Sequence, residues 1–350
     1  DREAWRVAMQ AEVDSLRDNG SYAEATSVEL KKLNFRDILP MKLVTGVKRD
    51  SNTGAAKYKA RAVICGNFQR KTDHEDLYTA NADITSVRAV LAAAAERRFS
   101  AKVLDVKTAF LNANLPDSFE TIYIRPPQAL VEYGLVKAGT IWRCIKAIYG
   151  LRISPKAWGP ERDKELKKMT VKLDGKTYRF RQSVIDPSVW VIEASDYVPN
   201  GAGSGGAATP RSEVIGFLVT YVDDFLILGS DKMVDAVTNV IRAKWKITEK
   251  PAVRYGSGNS VEYLSVTITA LPNGFHLDQT VYTQDLLTKW SMAECRAIGS
   301  LEEPGDEIDE AEEPDEADVR MAQRLAGGLN WLATRTRPDI AFIVSQLSSA

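Results

Sequence analysis

The sequence predicts an α+β fold in which an antiparallel sheet is backed by helices. The apolar run 214–229 is long enough for two buried strands, and its middle carries Asp223 and Asp224. A second apolar stretch, 102–106, reads as a buried strand that contains Asp105. Stretches with helical spacing of apolar residues lie between these strands, so the chain alternates both element types.

Elements of the first half follow from periodicity and from capping or turn residues. Segments 42–49 and 57–66 predict a hairpin around the turn 50–54. Asp83 is a suitable N-cap for the helix that follows it. Apolar residues at helical spacing predict three helices, with the stripes Trp5, Met9, Val13 and Leu16; Val87, Leu91 and Ala94; and Trp158 and Leu166 within 155–169.

The second half centres on the run 214–229, which predicts a hairpin with both aspartates at its tip. The Gly-rich segment 199–210 before it predicts a flexible insertion. Segments 262–268 and 274–277 predict a second hairpin, and the acidic stretch 301–318 predicts disorder. Further helices are predicted through Val234, Val237, Ile241 and Trp245; through Tyr282, Leu286 and Trp290; over 319–334; and after Pro338.

Composition limits the function classes. A chain of 350 residues predicts two or three subdomains. The apolar stretches are too short for a membrane span, and no signal peptide is expected. With only two histidines, a histidine-based zinc site or triad is not expected. The three scattered cysteines lack metal-binding spacing and fit reduced thiols in the cytosol or nucleus.

The net charge of −1 hides a strong asymmetry. Residues 301–318 hold eleven acids and no Lys or Arg, so the remainder has a clear excess of basic residues. Segment 42–71 carries eight basic residues and a single acid, Asp50. Such a segment can offset phosphate charge, although a solvated charged face explains the same composition.

The aspartates are the candidate catalytic residues. Carboxylates within apolar strands are costly unless a partner neutralises them, and hard oxygen ligands suit Mg²⁺. If the strands are neighbours, Asp105, Asp223 and Asp224 meet at one end of the sheet. They could then hold two Mg²⁺ ions roughly 4 Å apart for in-line phosphoryl transfer. Ordinary turn chemistry is the alternative for a lone Asp-Asp pair.

Several motifs, in order along the chain, resemble the reverse transcriptases of Ty1/copia-type retrotransposon Pol polyproteins. The stretch Tyr221-Val222-Asp223-Asp224 resembles their active-site box, and 105–112 resembles their first carboxylate motif. The other similar stretches are Trp5 to Glu12, 57–69, 122–127, 147–158 and 336–340. The chain departs from the family pattern at 82–84, at Ala113 and at Arg152-Ile153.

The resemblance implies a right-hand polymerase architecture. Fingers would span 1–98 and 121–156, and the palm 99–120 and 157–277. The palm would include an insertion at 196–213 and a primer-gripping hairpin at 261–277. The thumb would span 278–350, with an acidic disordered insertion at 301–318.

The resemblance also implies RNA-directed DNA polymerisation, a nucleotidyl transfer with two Mg²⁺ ions, or with Mn²⁺. Asp105, Asp223 and Asp224, with the backbone of Val106, would hold the metals. Nucleotide contacts would come from Lys59, Arg61, Phe110, Tyr149 and Gly150. Template and primer contacts would come from Ser154, Pro155, Tyr221, Tyr263 and Leu264.

Some of these residues have simpler explanations. Lys59 and Arg61 share one strand face, which fits a solvated face as well as triphosphate binding. Phe110 fits core packing as well as a ring that excludes a 2′ hydroxyl, and Tyr221 fits core burial as well as a primer contact.

The implied partners are an RNA template, a DNA or RNA primer and dNTPs. The rest of a longer Pol polyprotein, with integrase and ribonuclease H, would accompany the domain, and no membrane is implied. We expect a cytoplasmic virus-like particle, and also the nucleus, as the location. A catalytically decayed remnant that only binds nucleic acid and another two-metal phosphotransfer enzyme, such as a nuclease, are the competing functions.

Overall fold

The computed structural model describes residues 1–49, 54–69, 77, 79–116, 119–195, 214–296 and 315–349. The predicted flexible insertion at 196–213 and the acidic residues 301–314 lie outside the described residues. The described helices are α1 Arg2–Asp18, α2 Ser27–Lys32, α3 Ile84–Glu96, α4 Gln128–Glu132, α5 Ser154–Lys168, α6 Asp231–Lys244, α7 Thr280–Lys289, α8 Glu316–Arg335 and α9 Ala341–Ser349.

The strands form three sheets, so the α+β prediction is confirmed. Their bounds are β1 Tyr22–Glu24, β2 Ile38–Arg49, β3 Ala56–Ile64, β4 Ser100–Val106, β5 Tyr123–Arg125, β6 Trp142–Cys144, β7 Thr170–Leu173, β8 Lys176–Gln182, β9 Val189–Ala194, β10 Val214–Tyr221, β11 Asp224–Gly229, β12 Ile247–Glu249, β13 Ser260–Tyr263, β14 Val266–Leu271 and β15 Gly274–Asp278.

A seven-stranded sheet lies at the centre, in the order β12-β4-β11-β10-β9-β8-β7. Both of its faces are covered. Phe225 and Ile227 pack into the core that contains residues of α5 and α6, whereas Leu226 and Leu228 pack into the core that contains residues of α3. Burial on both faces explains why the run 214–229 is apolar throughout instead of alternating.

A five-stranded sheet, in the order β1-β6-β5-β2-β3, packs against α1. The buried face of α1 is Met9, Val13 and Leu16, as its spacing predicts. The long antiparallel hairpin of β2 and β3 also matches its prediction, although most of its turn, 50–53, lies outside the described residues.

The second hairpin differs from its prediction. Segment 262–268 is two strands, β13 and β14, joined by a turn at Leu264-Ser265, and β15 completes a three-stranded sheet. Both turn residues have positive φ, 52° and 61°. Such turns normally carry Gly, Asn or Asp. The sequence has none of these there, which is why it read as one strand.

Helices α7, α8 and α9 follow as predicted, and the end of the acidic stretch corrects another prediction. Residues 315–318 are ordered: Asp315 caps α8, and its carboxylate accepts the backbone N–H of Ala317. Acids in a first helical turn are favoured by the helix dipole. Within the described ranges, every helix is too short or too polar to cross a membrane.

Helix α3 lies in the predicted fingers segment, yet it packs on β10, β11 and β15. Its buried residues Val87, Leu91 and Ala94 share a core with Val103 of β4. The fingers, palm and thumb boundaries stay a prediction, but this packing shows that α3 supports the central sheet.

Two glycines join β3 to the loop before α5. Ile64 donates its backbone N–H to the Tyr149 carbonyl at 2.8 Å. A Cβ on Gly150 would lie 2.0 Å from the Ile64 carbonyl oxygen, and a Cβ on Gly66 would lie 2.1 Å from the Gly150 carbonyl oxygen. Gly150 also has a φ of +91°. Only glycine permits this backbone contact.

We therefore expect Gly150→Ala to lower the free energy of unfolding by about 3 kcal/mol, because a steric clash is added to backbone strain. Gly139→Ala is the matched control, since Gly139 has a φ of +78° and no atom within 4 Å of an added Cβ. That control should lose only about 1 kcal/mol. Urea unfolding measures both, and equal losses would contradict the proposed clash.

Candidate active site

The ladder between β4 and β11 brings the distant aspartates together. Asp105 lies directly opposite Asp224 in the antiparallel register. Directly opposed residues of such a pair project to the same face, with Cβ atoms about 5 Å apart. Asp223 lies in the adjoining turn, where its carbonyl accepts the Val106 N–H at 2.8 Å. The sheet register therefore builds one carboxylate-rich end from segments over a hundred residues apart.

The turn that carries Asp223 is strained. Val222 has a φ of 52°, which is rare for a β-branched residue. The Trp158 indole N–H donates to the Val222 carbonyl at 2.8 Å, and Trp158 is itself buried against Trp245. A strained residue persists where its surroundings determine its conformation, and this buried indole supplies one such constraint.

The acids perturb one another. Burial, followed by repulsion from Asp223 and Asp105, raises the pKa of Asp224 to about 6. Burial is also the main cause that raises the pKa of Asp223, and Asp105 adds to it. Carboxylates that share a site in this way favour a cation between them, and their oxygens suit a hard divalent ion.

The three aspartate side chains do not form a complete set of metal ligands in the described part of the structure. Across the described residues, no group of three or more His, Cys, Asp and Glu side chains is arranged to hold a metal ion. The carboxylates of Asp105, Asp223 and Asp224 nevertheless have the chemistry that suits a hard divalent ion. The predicted Val106 carbonyl ligand stays a prediction.

Two of the predicted nucleotide residues, Arg61 and Tyr149, lie close enough to Asp223 to interact with its charge. The Arg61 guanidinium lies 4.4 Å from the Tyr149 ring centroid, and its charge acts to lower the pKa of Asp223. Phe110 meets the same Tyr149 ring edge-on, with centroids 5.5 Å apart. Lys59 lies two residues from Arg61 on the same face of β3 and is exposed.

Sequence reasoning missed how Glu12 supports this group. The Glu12 carboxylate accepts the backbone N–H of Ala62 at 3.0 Å, so it ties α1 to the strand that carries Arg61. Burial raises the pKa of Glu12, and the Arg61 charge opposes that rise. The signs in the sequence were its place on an amphipathic helix and within the stretch from Trp5 to Glu12 that resembles the family, but neither predicted this contact.

Two predicted template or primer contacts are not supported by the structure. Ser154 is fully buried, and its hydroxyl donates to the Ile148 carbonyl at 2.6 Å at the start of α5. Tyr263 is only 2% exposed, and its burial raises the pKa of its hydroxyl. Neither side chain can touch nucleic acid in this conformation, because both are enclosed by protein.

The other predicted contacts are accessible. Tyr221 and Leu264 are half-buried and line a cleft beside Asp224. Pro155 is half-buried at the start of α5. Leu264 belongs to the strained turn of β13 and β14, so two strained turns flank the carboxylates.

Comparisons with known proteins agree with these motifs. Residues 27–180 match the family described as reverse transcriptase (RNA-dependent DNA polymerase). The chain is 26% identical over 348 residues to the Pol polyprotein of transposon RE1 from Arabidopsis thaliana. It is 27% identical over 350 residues to that of transposon TNT 1-94 from Nicotiana tabacum.

These alignments cover 99% and 97% of this chain but only 21% and 23% of the two polyproteins. The chain thus spans about a fifth of the length of these relatives. Among solved structures, a foamy viral protease-reverse transcriptase in complex with double-stranded DNA matches with a TM-score of 0.52 at 13% identity. The match covers 99% of this chain and 44% of that one, and it supports the right-hand fold.

The raised pKa of Asp224 predicts a stability effect. From an unfolded pKa of about 3.9 up to the folded value of about 6, the folded chain binds more protons than the unfolded chain. The free energy of unfolding contributed by this group therefore falls as pH rises through that window. We expect Asp224→Asn to raise it at pH 7 by about 1 kcal/mol after allowance for solvent screening.

Urea unfolding in the presence of a chelator measures this gain, which should shrink towards zero as the pH falls to about 4. Asp285→Asn, at an exposed position on α7, is the control and should stay within about 0.5 kcal/mol of the parent at both pH values. A less stable Asp224→Asn at pH 7 would contradict the electrostatic description.

Proposed function

We propose that this chain is an RNA-directed DNA polymerase, because residues 27–180 match the reverse transcriptase family and nearly the whole chain is similar to retrotransposon Pol polyproteins. It would add dNTPs to the 3′ end of a primer on an RNA template. The observation that carries the proposal is the register of β4 and β11, which sets Asp105 opposite Asp224 beside the turn with Asp223.

Reverse transcriptases generally use divalent metal ions, and we propose Mg²⁺ here, held by Asp105, Asp223 and Asp224. Bound ions would lower the pKa of the primer 3′ hydroxyl and neutralise charge on the triphosphate and the departing pyrophosphate. The protein's own part is to fix the carboxylates, which the sheet and the Trp158-anchored turn do.

Arg61 and Lys59 would bind the triphosphate of the incoming nucleotide. The Arg61 fork is suited to paired phosphate oxygens, and Lys59 supplies a mobile point charge. Stacking on Tyr149 and the support from Glu12 and Ala62 hold Arg61 close to Asp223. The incoming nucleotide would therefore lie between β3 and the carboxylate turn.

The remainder of the polyprotein would supply ribonuclease H and integrase. By the same relationship we propose that the protein acts in a cytoplasmic virus-like particle, and that its DNA product is passed to the nucleus for integration.

Primer extension tests the function. On poly(rA)/oligo(dT) with Mg²⁺ or Mn²⁺, the parent should extend, and Asp223→Asn should lose at least about a hundredfold in rate, because metal-assisted charge stabilisation provides several kcal/mol. Asp285→Asn should extend normally. Binding of primer–template by the parent without any extension would instead identify a decayed remnant.

Sugar selection gives a second test. The Phe110 ring is half-buried beside Tyr149, where it would clash with a ribose 2′ hydroxyl. Phe110→Val should therefore raise ribonucleotide use relative to deoxynucleotide use by about tenfold or more, the scale of a pocket shape change. Phe35→Val, which removes an exposed ring on the five-stranded sheet side, is the control. Unchanged discrimination in Phe110→Val would assign that ring to packing.

A further inference from the structure

A cleft of about 300 Å³ opens beside Asp224. Tyr221 and Asp224 line it from the carboxylate hairpin, and Glu262 lines it from β13. The cleft is also lined by Lys250, which directly follows β12, and by Trp331 and Arg335 of α8. Nothing in the sequence motifs assigns a role to Lys250, Trp331 or Arg335.

Two cations face this space. The Lys250 ammonium donates to the Glu262 carbonyl at 2.8 Å, and its charge acts to lower the pKa of Asp224. The Arg335 guanidinium lies 3.6 Å from the Trp331 ring centroid. Its buried Nε has no hydrogen-bond partner among the residues that the structure describes. A buried donor of a charged group is costly without a partner, so an anion there would be stabilised.

Arg335 is fixed in place by its backbone surroundings. Arg88 of α3 donates to the Thr334 carbonyl at 2.9 Å and also to the Arg335 carbonyl. Next to them, the Thr336 hydroxyl donates to the Gln279 side chain at 2.9 Å. The end of α8 is thereby joined to α3, and α3 packs on the strands that carry Asp224. The cation is therefore pre-organised relative to the carboxylates.

The charge balance selects the kind of anion. Lys250 and Arg335 are matched by Asp224 and Glu262 on the same cleft. A monoanionic phosphodiester adds one negative charge, whereas a triphosphate adds several and would be repelled by the two carboxylates. The volume lies at the low end of ligand sites, which fits one nucleotide unit but not a duplex.

We propose that Arg335 and Lys250 bind a phosphodiester of the primer strand close to its 3′ end. This inference rests on the proposed polymerase function, because it needs a primer whose terminus lies at Asp224. It makes α8 a primer-positioning element beside the carboxylate turn. The Trp331 ring holds the guanidinium of Arg335 towards the cleft.

The first test measures binding without chemistry. Fluorescence anisotropy of a labelled primer–template, in chelator and without dNTP, should show Arg335→Gln weakening affinity about tenfold. In the Arg335→Gln protein, the slope of log Kd against the logarithm of the salt concentration should fall by about one, which corresponds to one counterion released. Arg324→Gln, an exposed arginine on the same helix that does not line the cleft, should change affinity less than twofold. Equal effects of the two substitutions would overturn the proposal.

The second test identifies the strand. A neutral methylphosphonate at one of the last two primer linkages should weaken binding to the parent but not to Arg335→Gln. The reason is that the substitution has already removed the contact between Arg335 and that phosphate. The same substitution in the template strand should weaken both proteins equally. A methylphosphonate effect that persists in full in Arg335→Gln at each primer linkage would refute the assignment, and so would sensitivity confined to the template.

Both tests are repeated with Lys250→Gln, which alters the same cleft without changing α8. A folding defect in the Arg335 variant therefore does not determine whether the proposed site is accepted. Thermal unfolding of each variant checks for such a defect. The KM for dNTP in the Arg335→Gln protein should stay within twofold of the parent, and a selective rise in that KM would assign the cleft to the incoming nucleotide instead. If the parent binds primer–template but does not extend it, the proposed function is wrong. If the parent extends the primer and Arg335→Gln leaves its affinity for primer–template unchanged, only this inference is wrong.

Discussion

The antiparallel pairing of β4 with β11 is the constraint on which the rest of the site depends. It sets Asp105 opposite Asp224, and it brings Val106 against the carbonyl of Asp223. A one-residue slip would turn one of these side chains to the opposite face. The slip is prevented because both faces of the sheet are buried, with Phe225 on one side and Leu226 on the other. The apolar core thus fixes the geometry of the polar site.

Two turns with a strained backbone lie near this ladder. Val222 and the pair Leu264-Ser265 all have positive φ in two-residue turns, and none of them is glycine. Each such residue costs of order 1–3 kcal/mol, so the surrounding packing must compensate. The indole of Trp158 does so for Val222, and the paired strands β13 and β14 do so for the other turn. The site is therefore stiff where the carboxylates meet, which suits a reaction that depends on positioning.

Two separate groups of cationic side chains lie near the carboxylate turn. Arg61, stacked on Tyr149, acts on Asp223. Lys250 acts on Asp224, and Arg335 shares its cleft. The two cationic groups therefore act on different carboxylates, and the acids Asp224 and Glu262 offset the two cations that line the same cleft.

The sequence by itself determined the α+β class, the carboxylate hairpin and most helices, because burial periodicity and capping are local properties. The stripe of α1 and the Asp83 cap of α3 are examples. It did not reveal the turn at Leu264-Ser265, since no glycine or asparagine marks it, or the burial of Ser154 and Tyr263. Only the tertiary structure decided these features, together with the convergence of Asp105 on Asp224 and of Lys250 on Arg335. Such pairs are joined by strand register and helix packing across long stretches of chain, and no local pattern records that distance.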